Sequence, residues 1–363
     1  MISLRQSLES KQLSVVNGLR SLHPFYVSGP ADAFPKSIRM LIQSLEWPSG
    51  YTTTGNNYDY PKDREPGWSD NLQGVTHDNS SWYFTQTGIL WRFPAGRDLN
   101  STLKPTLIAP IIGDEGAISF ADTDAGAVSP IVAGVVGLTL SDKLKQLGCY
   151  HLGACNYYQG MVYVPIEGST PPLVVAIQVS ESSILCDTKN VAPLTNQAAN
   201  QAPWCAINPL NGMLYSSSFR IDQSGLSVYR LSKNVGLGIK LDFVGMFALF
   251  DSAGNQKIID RVQGGCFSNR GHLYLVSDDG TGILGFDMLT GRQTAYIPVD
   301  YQPTTFGKSK EEIEDITIWD LDTGQSPGIS GQLHLVMIDN LGSGADDLYF
   351  KHYKVAPQDK DKI

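Results

Sequence analysis

A strand-turn-strand segment recurs along this chain, and the recurrence limits the fold more than any single motif does. Its clearest copy is VQGGCFSNRGHLYLV, residues 262–276, where a short strand opens with small residues, a polar turn follows, and a second strand carries an aromatic residue. Internal repeats of this kind indicate one supersecondary unit used several times. Four further copies begin at Leu72, Tyr150, Ala202 and, more loosely, Glu312. The matching place in the second strand holds Tyr83, Tyr163, Tyr215, Tyr274 or His334.

A third strand follows most copies, for example GILWRFP at residues 88–94 and GLSVYRL at residues 225–231. The copies are spaced by about 50 to 60 residues, but the first interval is about 25 residues longer. The surplus corresponds to residues 111–137, which lack both the small-residue opening and the tyrosine-bearing strand. We therefore favour an insertion in a ring of five units, with a degenerate sixth unit as the alternative.

Tandem units of antiparallel strands with this length resemble the blades of a β-propeller. The resemblance covers residues 70–355 and is one of architecture, not of a particular family. It implies an all-β protein: a β-propeller of four-stranded antiparallel blades, with five blades favoured and six as the alternative. A two-layer sandwich could contain the same hairpins, but a sandwich does not require such regular self-similarity.

This interpretation divides the chain into three regions: a short, partly helical N-terminal extension (residues 1–50), the β-propeller domain (residues 51–357) and a polar tail (residues 358–363). Helix-like apolar spacing in LRQSLESKQLSVVNGLRSL indicates the extension. The stretch WPSGYTTTGNNYDY, residues 47–60, is rich in β-branched and aromatic residues. We predict that it returns as the outer strand of the last blade and closes the ring, because exposed strand edges invite unwanted pairing.

Composition limits the partners and the environment. The formal net charge of -9 argues against nucleic acid, because phosphate backbones are bound by clustered Lys and Arg. The N-terminus shows no secretory signal, and the most apolar run, residues 125–140, is interrupted by Ser129 and Pro130 and is too short to span a membrane. We expect a soluble protein without a membrane span. Its compartment stays open, because a secreted mature form would also lack a signal.

The five cysteines show none of the paired spacings of a zinc site. Cys205 and Cys266 lie in apolar strand-like runs, which is typical of small buried side chains. A disulfide between Cys149 and Cys155 is left open.

In a propeller the inner strands surround a central channel, so the residues at the five openings are the first candidates for a site. Amides, an imidazole, an indole and carboxylates at these places could hold a polar ligand by hydrogen bonds and stacking. An alternative for the two glutamines is that they satisfy backbone groups between blades. The predicted ligand-binding residues are Gln73, His77, Trp204, Gln263 and Glu312.

Glu314, His151 and Asp78 are the candidate catalytic residues. In a strand, Glu312 and Glu314 would point to the same side, and their repulsion would be relieved by a raised pKa or by a cation such as Ca²⁺. No specific calcium motif supports the cation, so the cofactor is left unknown. Asp78, in GVTHDNSS, also fits an ordinary hairpin turn. The serine-elbow, phosphate-loop and zinc-helix motifs are absent from the sequence.

Fold does not decide function, so three functions stay open at this point. The first is the binding of a polar small molecule or carbohydrate at the mouth of the central channel. The second is a propeller-type hydrolase or lyase that uses the channel carboxylates and His151. The third is a protein-interaction scaffold that binds its partner through the blade loops.

Overall fold

The computed structural model describes residues 52–53, 68–99, 106–110, 116–119, 136–180, 183–186, 189–197, 200–234, 238–279, 282–299, 310–340 and 348–355. Five sheets, antiparallel except for one parallel pair at the edge of blade 1, surround one axis, which confirms the all-β class and the five-bladed propeller. The predicted extension (residues 1–50) and tail (residues 358–363) lie outside the described residues.

Each blade begins at the axis with an inner strand and ends at the rim. Blade 1 contains β2 (Leu72–His77), β3 (Ser81–Gln86), β4 (Ile89–Pro94), β5 (Thr106–Pro110) and β7 (Val136–Thr139), and blade 2 contains β6 (Gly116–Ser119), β8 (His151–Leu152), β9 (Asn156–Tyr158), β10 (Met161–Glu167), β11 (Leu173–Val179), β12 (Ser183–Cys186) and β13 (Val191–Pro193). Blade 3 contains β14 (Trp204–Ile207), β15 (Met213–Ser217), β16 (Leu226–Asn234) and β17 (Gly238–Phe247), and blade 4 contains β18 (Val262–Phe267), β19 (Leu273–Ser277), β20 (Gly282–Asp287) and β21 (Arg292–Pro298). Blade 5 contains β22 (Lys310–Ile318), β23 (Leu333–Asn340), β24 (Leu348–Lys354) and β1 (Thr52–Thr53).

The described parts of the surplus in the first interval, residues 116–119 and 136–137, lie at the rim of the ring. Strand β5 pairs in parallel with β7 at the outer edge of blade 1, and β6 pairs with β12 at the outer edge of blade 2. The described part of the chain forms five blades, as the insertion interpretation predicts, and no sixth blade occurs within it. One short helix, α1 (Asp142–Gln146), follows β7, and the Ser141 side chain caps it by accepting a hydrogen bond from Leu144 N.

Strand pairing confirms that the tyrosine or histidine of the second strand holds an equivalent place in all five repeats. It corrects two of the predicted openings, because Gly153 and Pro203, not His151 and Trp204, are the counterparts of Gln73 and Gln263. The tyrosine or histidine of the second strand always lies opposite the same position of the inner strand. The five pairs are Tyr83 with Thr76, Tyr163 with Asn156, Tyr215 with Ala206, Tyr274 with Cys266, and His334 with Thr317. All five of these second-strand side chains are buried.

The core consists of five clusters of apolar side chains, one at each interface between neighbouring blades. Between blades 5 and 1, for example, Trp82 and Phe84 pack against Phe350, with ring centroids 5.3 and 5.4 Å apart. Each sheet therefore buries both of its faces against its neighbours. A ring is the arrangement that leaves no blade with an uncovered face.

The predicted closure of the ring is confirmed by β1. Thr52 pairs with Lys354 and Thr53 pairs with Tyr353, so a segment from before blade 1 forms the outer strand of blade 5. First and last blades are thereby tied together through backbone hydrogen bonds. This pairing also covers the outer edge of β24, which would otherwise be exposed.

Glycines at the blade openings allow the inner strands to approach closely. A Cβ atom at Gly74 would lie 2.5 Å from the Ala154 Cα of blade 2, and one at Gly153 would overlap the carbonyl oxygen of Pro203 at the start of blade 3. No side chain fits at such positions, because the neighbouring backbone already occupies the space. The small-residue openings of the repeats are therefore a packing requirement of the axis.

Cys149 and Cys155 are free and buried in the cluster between blades 1 and 2, so the disulfide considered for them is not formed. Their thiols serve as small apolar side chains there. Within the ranges that the structure describes, no helix is long and apolar enough to cross a membrane.

Replacing Gly153 with Ala is expected to lower the free energy of unfolding by about 1–3 kcal/mol, the usual effect of overpacking a tight interior. Gly96→Ala is the matched control, because nothing lies within 4 Å of a Cβ atom built at Gly96. Urea denaturation followed by circular dichroism measures both variants. Equal stabilities would contradict the close approach of the inner strands.

Candidate functional site

The five inner strands run in the same direction around the axis, which gives the channel two different ends. We call the end where these strands begin the opening end and the end where they finish the exit end. Residues at the two ends come from different parts of each repeat. The opening end is formed by the residues that start each inner strand, and the exit end by the turns between the first and second strands.

A cavity of about 440 Å³ lies at the exit end. We call it the axial cavity, and all five blades contribute to its wall. Its lining consists of residues 76–79, 156–159 and 317–320 together with Ile207, Pro209, Cys266, Phe267, Asn269 and Gln332.

The turns of blades 1 and 3 at the axial cavity share one local device: a short polar side chain at the start of the turn accepts backbone hydrogen bonds. Asp78 Oδ1 accepts from the backbone N–H groups of Ser80 and Ser81 at 2.6 and 2.7 Å, and Asn208 Oδ1 accepts from Leu210 N at 2.9 Å. Such turns form because Asx side chains hydrogen-bond the backbone two residues further on. The next residue in each turn then faces the cavity.

Asp78 is committed to its turn by further contacts. Its Oδ1 also accepts from the Ser80 hydroxyl at 2.9 Å, and its Oδ2 accepts from the Tyr83 hydroxyl at 2.8 Å. The carboxylate therefore has a partner on both oxygens, as the hairpin-turn interpretation of GVTHDNSS requires. To act as an acid, a base or a nucleophile, the Asp78 carboxylate would first have to break these hydrogen bonds.

Exposed amide side chains project from the turns that follow. Asn79 and Asn269 hold equivalent places in blades 1 and 4, and neither side chain has a hydrogen bond within the described ranges. Gln159 of blade 2 has a backbone φ of 48°, in the left-handed region that long side chains rarely adopt. Together with Gly160 it forms a two-residue turn that places its amide at the rim of the cavity.

His77 forms part of the wall as a fixed, uncharged ring. It stacks on Trp319 with ring centroids 4.3 Å apart and the planes 4° from parallel. Its Nδ1 and Nε2 lie 3.0 and 2.7 Å from the carbonyl oxygens of Asp78 and Ile318. A neutral imidazole can donate to only one of them. Burial lowers the pKa of His77, and the two carbonyls oppose this effect only in part.

The opening end is built on a β-bulge that recurs in blades 1, 4 and 5. The pairing register shifts at the same place in β2, β18 and β22, which leaves Gln73, Gln263 and Glu314 as the extra residues. A bulged residue is released from the ladder, and its side chain is re-aimed. Two blades place an amide at this position, and the third places a carboxyl group.

Side chains of blades 4 and 5 meet at this end. Arg261 Nη2 lies 2.5 Å from Glu312 Oε1 and 3.0 Å from Asp278 Oδ2, and Gln263 Nε2 donates to the same Glu312 oxygen at 2.8 Å. Arg261 has a φ of 50°, also in the left-handed region. The left-handed backbone at Arg261 and the bulge at Gln263 therefore both place a side chain of blade 4 in contact with blade 5.

Burial is the main cause of a strongly raised pKa at Glu314, and the charges of Glu312, Asp278 and Asp315 add to it. Burial likewise raises the pKa of Asp315 well above its ordinary value. Asp315 Oδ2 accepts a hydrogen bond from Val75 N at 2.8 Å, and this bond, together with the backbone N–H groups of Ile316 and Gly265, opposes the rise in the pKa of Asp315 only in part. Burial therefore favours the protonated form of both groups.

His151 and Trp204 occupy different surroundings. His151 Nδ1 lies 3.0 Å from Glu167 Oε2, although the two atoms lack the alignment of a hydrogen bond. Glu167 Oε1 accepts from Ala202 N at 2.8 Å, which links blade 2 to the start of blade 3. Trp204 is fully buried and donates to Ser217 Oγ at 2.8 Å, so its ring packs between blades and presents no face to a ligand.

The structure thus separates the predicted site residues into two groups. His77 and Asp78 line the axial cavity, whereas Gln263, Glu312 and Glu314 meet at the opening end. Gln73 holds the equivalent bulge in blade 1, where its Nε2 lies 3.4 Å from Asn71 O. Sequence analysis missed six residues of the two ends. Some of them, such as Asn79 and Asn269, occupy the second position of a turn, and the alignment of the repeats could have indicated them. The six are Asn79, Gln159, Asn269, Trp319, Arg261 and Asp278.

No protein-family model matches this sequence, and no curated protein matches it. Solved structures that resemble the chain include a glutaminyl cyclase of Myxococcus xanthus, with 11% identity and a TM-score of 0.47 over 84% of this chain and 97% of that chain. A luciferin-regenerating enzyme has 10% identity and a TM-score of 0.44 over 85% and 96%. The WD40 β-propeller domain of Doa1 has 11% identity and a TM-score of 0.36 over 86% and 99%. At these identities the likeness concerns the fold alone.

Replacing Glu314 with Gln is expected to stabilise the protein increasingly as the pH rises above 4.5, the pKa of an unperturbed glutamate. Above this pH the unfolded chain releases a proton that the folded protein keeps, so the stability of the unaltered protein falls. Gln cannot ionise, and the gain should reach about 1–3 kcal/mol near neutral pH.

Urea titrations at about pH 5 and pH 8 measure this difference. Asp242→Asn is the control, because Asp242 is a half-exposed carboxylate paired with Lys240 at 2.7 Å, and such surface pairs contribute little. A gain for Glu314→Gln that is equal at both pH values would contradict the buried, protonated state.

Proposed function

We propose that the protein binds an uncharged polar small molecule or glycan in the axial cavity. The observation that carries the proposal is the convergence of all five blades on one cavity whose wall combines amides with aromatic rings. Ligand sites are typically concave, with volumes of about 300–1,000 Å³ and a few placed polar groups. The volume of the axial cavity lies within this range.

The chemistry of the wall suits a polyhydroxylated ligand. Amides such as Asn79 and Asn269 can both donate to and accept from hydroxyl groups. Rings such as those of Tyr157, Phe267 and Trp319 can pack against the apolar face of a sugar. Because the amide donors and the rings come from different blades, a ligand would be held from several sides.

The charges of the wall favour an uncharged ligand. None of the lining residues is Lys or Arg, so an anion would find no counter-charge there. The two carboxylates of the wall already bind protein groups: Asp78 is hydrogen-bonded in its turn, and Asp320 Oδ1 accepts from Gln332 Nε2 at 2.6 Å. A cationic ligand would therefore have to compete with these bonds.

The hydrolase or lyase alternative receives less support from the same geometry. Its three residues do not line one cavity, since Asp78 lies at the exit end and Glu314 at the opening end, while His151 lies beside Glu167. The scaffold alternative rests on no particular contact. Binding therefore stays the better-supported function.

Isothermal titration calorimetry against a panel of neutral mono- and oligosaccharides tests the proposal. Asn79→Ala and Asn269→Ala should each weaken binding by about fivefold to tenfold, since a hydrogen bond contributes about 1 kcal/mol. The affinity should be the same at low and high salt concentration, because no charge is neutralised.

Gln223→Ala is the control variant, because Gln223 is an exposed amide on the loop between β15 and β16, away from the cavity. The proposal would be overturned by saccharide binding that is equally strong in all three variants. It would also be overturned if the panel gave no saturable binding while charged compounds competed at the cavity.

A further inference from the structure

The wall of the axial cavity differs from one side to the other. Three equivalent positions of each repeat supply most of its lining: the inner position, which lies opposite the second-strand tyrosine or histidine, the middle position, which follows it, and the outer position, two residues further on. In blade 1 these are Thr76, His77 and Asn79. The inner positions are mostly buried and the outer positions are all exposed. The lining can therefore be compared blade by blade.

Blades 1 and 2 form the polar side of the cavity, because each places a hydrogen-bonding side chain at all three positions. Their six residues are Thr76, His77, Asn79, Asn156, Tyr157 and Gln159. Thr76 Oγ1 accepts from Tyr157 N at 2.9 Å, and Asn156 Oδ1 accepts from Ile207 N at 3.1 Å. These bonds hold both side chains in place, and within the described ranges the two side chains make no other hydrogen bond. The Thr76 hydroxyl and the Asn156 Nδ2 group are therefore left as donors for a ligand.

The apolar side begins with blade 3. Its inner position is Ala206, and Ile207 and Pro209 hold the middle and outer positions. None of these three side chains has a hydrogen-bonding group. Blade 3 therefore gives the hydroxyl groups of a ligand no side-chain partner at any of the three positions.

Blade 4 continues the apolar side. Cys266 holds the inner position and Phe267 the middle one, and only the outer position, Asn269, is an amide. Burial raises the pKa of the Cys266 thiol, so the thiol stays uncharged and acts as a small apolar side chain. The Phe267 ring is partly exposed and packs on Tyr215, with ring centroids 5.2 Å apart. Blade 4 therefore adds an aromatic surface that is fixed in position.

Two borders separate the polar side from the apolar side. Between blades 2 and 3, the Tyr158 hydroxyl oxygen lies 3.5 Å from a Cβ atom built at Gly212, and it accepts from Gln159 Nε2 at 3.0 Å. The Tyr158 side chain thus extends from blade 2 to the turn of blade 3. Blade 5 lies between blades 4 and 1 and carries both kinds of side chain, with Thr317 at the inner position and Ile318 at the middle one.

We propose that the ligand of the axial cavity is a neutral glycoside, a sugar that carries an apolar aglycone, with the sugar against blades 1 and 2 and the aglycone against blades 3 and 4. This inference rests on the function proposed above and names the class of its ligand. The hydroxyl groups of a free sugar that face blades 3 and 4 would lose their hydrogen bonds to water without gaining a side-chain partner. An aryl group in the same place loses no hydrogen bond and buries apolar surface.

Isothermal titration calorimetry of the full chain with matched pairs of methyl and phenyl glycosides tests the proposal. The pairs are the methyl and phenyl β-glucosides, β-galactosides and α-mannosides. We expect saturable binding of at least one pair, with the phenyl glycoside bound at least about tenfold more tightly than the methyl glycoside, because the phenyl ring is buried. Phenol is the control for the aglycone alone, and it should bind at least about tenfold more weakly than the phenyl glycoside, because it lacks the hydrogen bonds of the sugar.

The ratio of the methyl to the phenyl dissociation constant within one pair separates the two sides of the cavity. Phe267→Ala should lower this ratio at least about threefold, because the aglycone loses its aromatic contact. Pro209→Asn gives blade 3 the amide that blades 1 and 4 carry at the outer position; it should also lower the ratio, and it carries the test if Phe267→Ala does not fold. Asn79→Ala should weaken the binding of both glycosides alike and leave the ratio unchanged. Gln223→Ala, the exposed control, should alter neither affinity.

The possible failures of the two proposals can be told apart. A methyl glycoside that binds as tightly as its phenyl partner would overturn the aglycone assignment and leave the proposed sugar binding standing. The aglycone assignment is also overturned if Asn79→Ala lowers the ratio as much as Phe267→Ala does, or if phenol binds as tightly as the phenyl glycoside. Absence of binding by all of these glycosides would overturn both proposals.

Discussion

The close approach of five inner strands around one axis is the constraint on which the rest of this structure depends. Gly74 and Gly264 hold equivalent positions in the inner strands of blades 1 and 4, and each lies against the next blade. A Cβ atom added at either position would collide with the neighbouring strand. Such contact between backbones is possible only where side chains are absent or small. The ring therefore closes with five blades, and the apolar faces of the sheets are buried in the five clusters between them.

The inner strands are near neighbours, but among the described residues only an isolated bridge between Ala154 and Trp204 pairs two of them. Their edge N–H groups must consequently find other acceptors. Thr76 Oγ1 accepts from Tyr157 N at 2.9 Å, Asn156 Oδ1 from Ile207 N at 3.1 Å, and Asp315 Oδ2 from Val75 N. Each bond joins one blade to the next, so polar side chains are built into the axis by the need to satisfy the backbone. The axis is therefore polar in a molecule whose blades are packed through apolar clusters.

The two ends of the axis differ because different local devices form them. In turns at the exit end the first side chain, such as that of Asp78 or Asn208, accepts hydrogen bonds from the backbone of the turn. The next residue of these turns faces the cavity and is uncharged. Bulges at the opening end release one residue per blade from the strand ladder, and in blade 5 that residue is Glu314. The first device yields a pocket whose wall contains no Lys or Arg among the described residues, and the second brings carboxyl groups of blades 4 and 5 around the guanidinium of Arg261.

Periodicity and turn chemistry are local properties, so the sequence by itself determined the repeat, the propeller, the alignment of Tyr83 with its four counterparts, and the return of Thr52–Thr53 to the last blade. The sequence also indicated that Asp78 could stabilise a hairpin turn instead of taking part in catalysis. Only the tertiary structure decided which end of the axis holds the cavity, that Trp204 is buried, and that His77 and Glu314 lie in separate places. The reason is geometric. A bulge changes the direction of a side chain, and no residue pattern in this sequence indicated the bulges. Residues of different blades become neighbours only when the ring is closed.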